Sequence, residues 1–534
     1  MTYRRLRAVL ADLLDSRTDL LALTTLLVSV IPRLLEATST YLNPDEASYF
    51  SMAVADTIPT IYERSLHTHH PPLFVFILAL THPFTHSELA LRALPVLAGT
   101  VFPWFIYRWL GLVWNKLAGY LALLILAFSP FLIGLSAEAR GYTLALLGVA
   151  ASLYLLERAI RESSPALMAA SAGALYVAIV SEYFTAFYAP AAGLYFIARV
   201  WGTGPRRSLL VSWVAAQAGG VALYVLLYLT HISRIAEESS SSTAMEGFLR
   251  GGFPWPGDNP LVFLIAACAK QFMFLFSSIP LGAAMILPFL LGLWLLWRGQ
   301  SAQSRGTHTV ILLVLLPFLA AAAGAFLRVH PFTRSRHTVV IGLFVAAAIA
   351  ISFERLLRDR KWLVLPGALA LIALWHSVVG EPPNTVPGVR HEKARLHDLV
   401  EHMRATVPQG ATILCDDETK YIVDYYLGPG EPPWAHRVPG VSGWSNRFRL
   451  VSYRYSFQDD DQVLEDLASA RREYNLGSED IWLVEGGWIL RRFQSPKLQP
   501  LVAEEQNFGR AITLYRMRVA APRYPALDSR NQAQ

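Results

Sequence analysis

Long apolar segments dominate this chain of 534 residues and restrict what it can fold into. Four of them are "LLALTTLLVSVI", "LAGYLALLILAFSPFLIGL", "YTLALLGVAASLYLL" and "LGAAMILPFLLGLWLLW". Each approaches the roughly 20 residues that a helix needs to cross a bilayer. Charged residues make up only 16% of the chain, against about a quarter in a typical soluble protein. Because a helix satisfies its backbone polar groups within one segment, these lengths predict an all-α polytopic membrane domain.

Residues 1–19 predict an amphipathic segment ahead of the first span. In "RRLRAVLADLLDSR" the apolar residues recur at helical spacing with arginines between them. This pattern favours a helix that lies on the inner membrane surface, and it also fits an extension of the first span. The segment has no small-residue cleavage site, so the first apolar run is not interpreted as a removable signal peptide.

Eleven membrane spans are predicted between residues 20 and 379. With the N-terminus inside, most basic residues of the connecting loops lie on the inner side, and the C-terminus lies outside. Segment 260–278 is also apolar, but Lys270 lies at its middle, where a charge costs about 2.5–3.5 kcal/mol. We interpret this segment as a helix at the outer surface or a re-entrant one. The predicted spans are 20–38, 93–110, 117–135, 141–158, 166–182, 184–200, 208–229, 280–298, 309–327, 337–353 and 361–379.

The chain changes character near residue 380. "EPPNTVPG" is typical of a linker, and the residues after it have the composition of a soluble domain. "HEKARLHDLVEHMRA" and "DDDQVLEDLASARREYNL" have helical patterns, whereas "ATILCDD", "IWLVEG" and "AITLYRMR" are typical of strands. The alternation predicts a small α/β domain over residues 380–534. "CDDE" lies at a predicted strand end, where we interpret it as an acidic turn that starts the next helix, and we assign it no function.

The positive charge of the chain does not indicate nucleic-acid binding. The net charge is +6 and the pI is near 9.2. The basic residues fall in short loops between spans, as the topology rule for membrane proteins requires. Cys268 and Cys415 lie in different regions and indicate neither a disulfide framework nor a zinc ribbon.

The predicted topology places an unusual set of ionisable residues at the outer face. Carboxylates, imidazoles and guanidiniums from separate loops are therefore expected to converge on one outward-facing cavity. The set comprises Asp45, Glu46, His67, His69, His70, Glu138, Arg140, Glu182, Lys270, Arg334, Arg336 and His337.

The first of these sites is "NPDE", directly after the first span. Asn43 is a good N-cap, Pro44 suits the first helical position and Glu46 completes a capping box. On local grounds this structural interpretation is favoured over a catalytic one. The two are compatible, because a capped helix end holds a carboxylate rigidly, as catalysis requires.

"HTHHPPL" contains three histidines, His67, His69 and His70, but adjacent histidines rarely point at one ion. A polar loop that ends at Pro71 and Pro72, where a helix then starts, is the favoured interpretation. No cofactor is implied, and the sequence does not support a divalent metal.

Two further motifs place basic residues at span edges. "SAEARGY" places Glu138 and Arg140 beyond the third span, and Tyr142 opens the fourth. "HPFTRSRH" places Arg334 and Arg336 before the tenth span, next to His337. An arginine at a membrane edge usually anchors the helix to lipid headgroups. Alternatively, such arginines clamp a phosphate, and each charge-assisted bond is worth about 1.5–3 kcal/mol.

Together, "DEASY", "HHPPL", "EARGY" and "FTRSRH" resemble the motifs of the C-type (GT-C) polyprenyl-phosphate-sugar glycosyltransferases. The resemblance covers roughly residues 20–350 and is nearest to bacterial protein O-mannosyltransferases and lipid A aminoarabinose transferases. It implies a membrane glycosyltransferase with an outer soluble domain, in the cytoplasmic membrane. The "HH" stands where aminoarabinose transferases have a lysine, which disfavours aminoarabinose transfer to lipid A.

The resemblance also implies roles for single residues. Asp45 corresponds to the acid at the reaction centre, as a general base or an acceptor-positioning group, and Glu46 is its partner or the helix cap. Basic residues at the outer face hold the donor's phosphate. The predicted partners are a polyprenyl-phosphate sugar donor, membrane lipids and a lipid, glycan or protein acceptor. The expected substrate-binding residues are His69, His70, Arg140, Tyr142, Lys270, Arg334, Arg336 and His337.

The expected reaction is a single displacement at the anomeric carbon with inversion, which transfers a hexose or a pentose. A transporter or flippase of lipid-linked sugars is an alternative, but it would bind near the bilayer midplane and have paired halves. A polymerase or ligase of oligosaccharide lipids is a second alternative, and only the first-loop motif argues against it. The sugar and the acceptor do not follow from the sequence.

Overall fold

The computed structural model consists of helices and one small sheet. Its contacts divide the chain into two compact units. The first comprises Met1–Thr38 and Met52–Thr385, and the second comprises Ser39–Ser51 and Val386–Gln534. The structure describes residues 18–54, 57–66, 70–84, 87–201, 206–235, 250–299, 307–333, 335–358, 390–427, 449–453, 460–473, 481–488, 493, 495–509 and 511–518. Most of the predicted N-terminal segment, the eleventh span and the predicted linker lie outside these residues.

The described residues up to residue 358 are mainly helical. A 3₁₀ segment, Tyr183–Phe187, precedes α11, and a π segment, Tyr228–Ile232, extends α12. The α-helices are α1 (Thr18–Ser39), α2 (Pro44–Ala53), α3 (Ile58–Ser65), α4 (Leu73–Thr81), α5 (Glu88–Leu91), α6 (Ala93–Val113), α7 (Lys116–Ala127), α8 (Pro130–Ser136), α9 (Tyr142–Glu162), α10 (Pro165–Ser181), α11 (Tyr188–Val200), α12 (Arg207–Leu227), α13 (Pro260–Leu275), α14 (Ile279–Trp297), α15 (Val310–Phe326) and α16 (Val339–Leu357).

Several helices have the length and composition of membrane spans. Among the residues that the structure describes, seven helices are long and apolar enough to cross a membrane, or eight if the bent pair of α7 and α8 counts as one span. Predicted spans 166–182 and 184–200 form shorter helices, α10 and α11. The chain is thus a multi-pass membrane protein, and the count of eleven spans stays a prediction.

The third predicted span, 117–135, is not one straight helix. α7 and α8 meet at an angle of 63°. Ser129 caps α8 with its side-chain oxygen, and Pro130 takes the first helical position, a start signal that the continuous hydropathy hides. The carbonyl oxygen of Ala127 at the end of α7 accepts a hydrogen bond of 2.7 Å from Nη1 of the buried Arg33. An arginine of the first span therefore stabilises the break.

Small residues bring the central helices of the first unit into close contact. A Cβ added to Gly148 of α9 would lie 2.6 Å from the carbonyl oxygen of Ala174 in α10. A Cβ added to Gly292 of α14 would lie even closer to the carbonyl oxygen of Ala348 in α16, at 2.0 Å. Helix packing of this kind, with small residues at the contact, is typical of membrane proteins. α16 is consequently enclosed along most of its length.

A buried carboxylate joins the helices at the end of the bundle where α9 terminates. Glu157 is fully buried and accepts hydrogen bonds from Arg199 at 2.5 Å, from Arg161 at 2.7 Å and from Tyr195 at 2.6 Å. A buried charge needs such partners, because desolvation without them costs several kcal/mol. Glu157 is therefore a structural residue that connects α9 with α11.

The segment with Lys270 at its middle forms α13, which has 16 residues. Asn259 caps it, Pro260 occupies its first turn, and Gln271 is buried whereas Leu261 is exposed. It is shorter than the roughly 20 residues that a span needs. Its predicted position at the outer surface stays a prediction.

The second unit contains a five-stranded sheet with the strand order β2-β1-β3-β5-β4. β1 pairs in parallel with β2 and β3, whereas β5 pairs antiparallel with β3 and β4. The strands are β1 (Thr412–Asp416), β2 (Arg449–Tyr453), β3 (Ile481–Gly486), β4 (Val502–Asn507) and β5 (Ile512–Met517), and the helices are α17 (Lys393–Thr406), α18 (Asp417–Leu427) and α19 (Asp460–Glu473), besides α2. The predicted α/β pattern is confirmed, although β2 and β4 were not predicted.

Candidate active site

The turn after α8 presents charged residues to the interior of the first unit. Glu138 and Arg140 are buried, and the backbone N–H of Arg140 donates to the carbonyl oxygen of Glu138 at 2.8 Å. Gly141 follows, and a Cβ there would lie 2.7 Å from the carbonyl oxygen of Ser181 at the end of α10. Only glycine permits this approach, which brings Arg140 next to Glu182, the residue after Ser181.

A chain of two hydrogen bonds connects Arg140 with Glu182 through His70. Arg140 Nη2 lies 2.8 Å from His70 Nε2, and His70 Nδ1 lies 2.8 Å from Glu182 Oε2. Because a guanidinium can only donate, His70 Nε2 must accept. The hydrogen of the neutral imidazole is then on Nδ1, which donates to the Glu182 carboxylate. The arrangement therefore assigns the tautomer of His70.

The loop before α16 brings a second arginine to the same place. Arg336 Nη1 lies 3.7 Å from Glu138 Oε2. The guanidinium carbon atoms of Arg336 and Arg140 lie 5.6 Å and 5.0 Å from the centre of the Tyr142 ring. Both distances fall within the range of a cation–π contact, so Tyr142 attracts both arginines to one ring.

Imidazole and aromatic rings also pack against one another around His70, Tyr142 and His337. The rings of His70 and His337 stack with a centroid distance of 5.9 Å, and His330 meets His337 edge-on at 6.3 Å. Tyr142 stacks on Phe184 at 6.1 Å. We name the residues His70, Glu138, Arg140, Tyr142, Glu182, His330, Arg336 and His337 the arginine cluster.

A glutamine of α13 holds the loop that carries Arg336. Gln271 Nε2 donates to the carbonyl oxygen of Thr333 at 2.9 Å, and its Oε1 accepts from the Thr338 hydroxyl at 2.7 Å. Both ends of the loop are thus tied to one side chain. The neighbouring Lys270 has its Nζ 4.0 Å from the position of a Cβ at Gly251, and among the described residues no hydrogen bond or ion pair joins it to the arginine cluster.

When both of its carboxyl groups are ionised, the arginine cluster has two negative carboxylates and two positive guanidiniums. Burial raises the pKa of Glu182 to about 8, and the nearby Arg140 and Arg336 lower it by less. Burial also lowers the pKa of His330 to about 4, so this imidazole is neutral at neutral pH. The cluster therefore gains one positive charge when Glu182 takes up a proton near neutral pH.

Asp45 and Glu46 belong to the second unit. Glu46 Oε2 accepts from the Asn43 N–H at 3.0 Å, and Asn43 Oδ1 accepts from the Glu46 N–H at 3.0 Å. The predicted capping box is therefore confirmed, with Pro44 as the first residue of α2. Glu46 is buried, whereas Asp45 retains partial exposure. The structure thus gives the two neighbouring carboxylates different surroundings.

The structure brings some of the predicted site residues together, and others lie outside the residues that it describes. Their predicted roles stay predictions, but the contacts bring together five of the expected substrate-binding residues, His70, Arg140, Tyr142, Arg336 and His337. His69 and Arg334 lie outside the described residues. Sequence analysis gave no role to Glu138 or Glu182 and missed His330 and the anchor Gln271. Charge at a span edge was the available signal for the two glutamates.

Residues with the chemistry of metal ligands do not form an ion site where the structure is described. There, no group of three His, Cys, Asp or Glu side chains has a geometry that would hold an ion. Within the arginine cluster, the His337 ring contacts the rings of His70 and His330.

Comparison with known sequences supports one family. Residues 69–231 match the model of a family described as dolichyl-phosphate-mannose-protein mannosyltransferase. This match covers less than a third of the chain and includes His70, Arg140, Tyr142 and Glu182. No curated protein sequence matches the chain significantly.

Solved structures match the chain over most of its length. An oligosaccharyltransferase of Archaeoglobus fulgidus, in complex with Zn and sulfate, is 14% identical, and the match covers 87% of this chain and 67% of that one with a TM-score of 0.50. ArnT from Cupriavidus metallidurans, bound to undecaprenyl phosphate, is 12% identical, and the match covers 96% of this chain and 100% of that one with a TM-score of 0.49.

At these identities, the oligosaccharyltransferase match defines only the class of fold, that of the C-type membrane glycosyltransferases. The family match then adds the more particular likeness, to the dolichyl-phosphate-mannose-protein mannosyltransferase family over residues 69–231. The resemblance predicted from the four motifs is thereby confirmed.

Proposed function

We propose that this protein transfers a single sugar from a polyprenyl-phosphate donor to an acceptor at the outer face of the cytoplasmic membrane. The observation that carries the proposal is the pair of arginines, Arg140 and Arg336, held over one tyrosine ring inside a membrane unit. Two guanidiniums near one ring are suited to a phosphate, because each can donate two parallel hydrogen bonds. The description of the matched family names a donor of this chemical class, dolichyl-phosphate mannose.

In the proposed reaction, the arginines act on the leaving group. When the bond between the anomeric carbon and the phosphate oxygen breaks, its electron pair remains on the phosphate. Arg140 and Arg336 stabilise this growing negative charge, and preorganised donors do so at little reorganisation cost. His70 and Glu182 orient Arg140, and His337 supports His70 through the ring stack.

Asp45 is the proposed general base, and Glu46 is the helix cap. The acceptor hydroxyl attacks the anomeric carbon from the side opposite the phosphate, so the configuration inverts. Asp45 takes the proton of that hydroxyl. Support comes from the rigid start of α2, where the capping box fixes the backbone on both sides of Asp45. Turnover of polyprenyl-phosphate hexoses and pentoses distinguishes a hexosyltransferase from a pentosyltransferase.

The N-terminus is proposed to be cytoplasmic and the second unit extracytoplasmic. Arg158 and Arg161, near the C-terminal end of α9, then lie on the cytoplasmic side. Arg140, just before α9, and Glu182, just after α10, lie on the outer side. A reporter that is active only outside the cytoplasm, fused to the C-terminus, tests this orientation.

The central test is turnover by the purified protein. We expect incubation with a panel of polyprenyl-phosphate hexoses and pentoses to release polyprenyl phosphate and to glycosylate an acceptor. A flippase would bind and move the donor without breaking the bond between the anomeric carbon and the phosphate. A polymerase or ligase would use only lipids that carry an oligosaccharide. If no single-sugar donor released polyprenyl phosphate with any of the acceptors, the proposal would be contradicted.

Phosphate binding is expected to weaken as the pH rises through the pKa of Glu182, about 8. Above this pKa, Glu182 is negative and opposes the phosphate, whereas below it the carboxyl is neutral. Polyprenyl phosphate is itself fully ionised above about pH 7, because the second pKa of a phosphate monoester is about 6. A several-fold weaker affinity at about pH 9.5 than at about pH 7 is therefore expected from the glutamate alone.

The binding constant of a short-chain polyprenyl phosphate, measured in detergent at both pH values, checks this expectation. The matched variant Glu182→Gln retains a hydrogen-bond acceptor for His70 but cannot ionise. Its affinity should be nearly independent of pH over this interval. An undiminished pH effect in Glu182→Gln would assign the titration to another group.

A further inference from the structure

Residues of the C-terminal α/β domain hydrogen-bond to the backbone of the segment just before Asp45. The N–H of Tyr41 donates to the carbonyl oxygen of His391 at 2.7 Å, and the N–H of Leu42 donates to the hydroxyl oxygen of Tyr426 at 2.9 Å. Thr40 forms an antiparallel bridge with Glu392. Three consecutive residues before the capping box are thus bound to residues 391–426.

Buried aromatic rings reinforce these hydrogen bonds on both sides of Asp45. Tyr41, four residues before it, meets the His391 ring edge-on at 5.0 Å. Phe50, five residues after it, meets Tyr425 edge-on at 5.0 Å. All four rings are buried. Edge-to-face pairs are favourable beyond the area that they bury, and their geometry is specific.

The helix that supplies Tyr425 and Tyr426 is itself attached to the sheet. At the start of α18, Asp416 Oδ1 accepts from the Thr419 N–H at 2.6 Å. The Thr419 hydroxyl donates to the carbonyl oxygen of Gly486 at 2.8 Å and accepts from the Gly486 N–H at 2.9 Å. The Thr419 side chain therefore ties α18 to the end of β3, and α18 holds the segment before α2.

We propose that the C-terminal α/β domain holds α2 in place for catalysis, with Tyr426 as a positioning residue for Asp45. This inference rests on the proposed function, in which Asp45 is the general base. It gives a role to a domain whose sequence carries no recognisable active-site motif. Tyr426 acts through the backbone of Leu42. The capping box of Asn43 and Glu46 then transmits this constraint to Asp45, which lies between them.

The size of the expected effect follows from the geometry that a general base needs. A displacement of about 1 Å at a reacting group costs up to 10²-fold in rate. Loss of one hydrogen bond two residues before α2 loosens the helix start without removing it. We therefore expect Tyr426→Phe to lower kcat by about tenfold and to leave KM for the donor unchanged, since donor binding is assigned to the arginine cluster.

The experiment uses the full-length protein and compares Tyr426→Phe with Tyr421→Phe, a matched change on the same helix. Turnover with a polyprenyl-phosphate sugar gives kcat and KM, and hydrogen exchange with mass spectrometry follows the peptide of residues 40–50. In Tyr426→Phe we expect faster exchange of this peptide together with the lower kcat. In Tyr421→Phe we expect neither change. Because phenylalanine preserves the ring, both variants should fold, and their melting temperatures check this.

The possible results separate this inference from the proposed function. Unchanged exchange in Tyr426→Phe, or faster exchange with an unchanged kcat, would overturn the positioning role while the enzyme remains active. A raised KM with an unchanged kcat would also overturn it. An Asp45→Asn variant with full turnover would instead remove Asp45 as the general base, and the role of Tyr426 with it, whereas a wild-type protein without turnover would contradict the proposed function itself.

Discussion

Replacement of Asp45 by Asn is expected to lower the turnover of the sugar donor by about 10²–10⁴-fold, the contribution typical of a general base. Asparagine has nearly the same shape, but its amide cannot accept the proton of the acceptor hydroxyl. Because Asp45 is partly exposed and is not the residue that closes the capping box, folding should be preserved. The measurement is the release of polyprenyl phosphate by the purified variant, with its melting temperature as the check on folding.

The neighbouring carboxylate provides the matched control. In Glu46→Gln, the side-chain carbonyl oxygen can still accept the hydrogen bond from the Asn43 N–H, so the start of α2 is retained. We expect this variant to keep its activity to within a few-fold. If Glu46→Gln lost as much turnover as Asp45→Asn, the base would not be assigned to Asp45. Full activity in Asp45→Asn would remove Asp45 as the general base.

Local sequence signals predicted local structure well. "NPDE" predicted a capping box because the interacting groups are three residues apart, and the structure contains both of its hydrogen bonds. "IWLVEG" coincides with β3 because a continuous apolar run is typical of a buried strand. β4 escaped prediction because "VAEEQN" is an exposed, polar strand at the edge of the described sheet, next to β5. Its partner, and not its composition, makes it a strand.

The contacts of the candidate site were less predictable than the grouping of its residues on one face. Charge parity assigned His70, Arg140 and Glu182 to one face, and the structure brings them into one hydrogen-bonded chain. No local pattern links His70 with Glu182, which is 112 residues away. Their contact depends on the packing of the turn at Gly141 against the end of α10, a tertiary feature. The same reason explains why the sequence did not assign Asp45 to a unit with the C-terminal domain.

Removal of the second arginine is expected to weaken donor binding strongly. Arg336→Ala deletes charge-assisted bonds to the phosphate that are worth about 1.5–3 kcal/mol, which corresponds to roughly 10- to 150-fold in affinity. The loss should appear both in the binding constant of polyprenyl phosphate and in KM for the sugar donor. Arg234→Ala is the matched control, because Arg234 forms an exposed ion pair with Glu63, and such pairs contribute little.

A double variant separates direct contact with the phosphate from a simple balance of charge. Arg336 lies 3.7 Å from Glu138, so Arg336→Ala also leaves the buried Glu138 carboxylate with one positive neighbour fewer. If this uncompensated charge caused the weaker binding, adding Glu138→Gln would restore the affinity. If Arg336 binds the phosphate, as we propose, the double variant should remain at least tenfold weaker than wild type. Glu138→Gln alone should then bind the phosphate more tightly than wild type, because both arginines remain and one opposing charge is gone. Restoration by the double variant would remove Arg336 from the donor site.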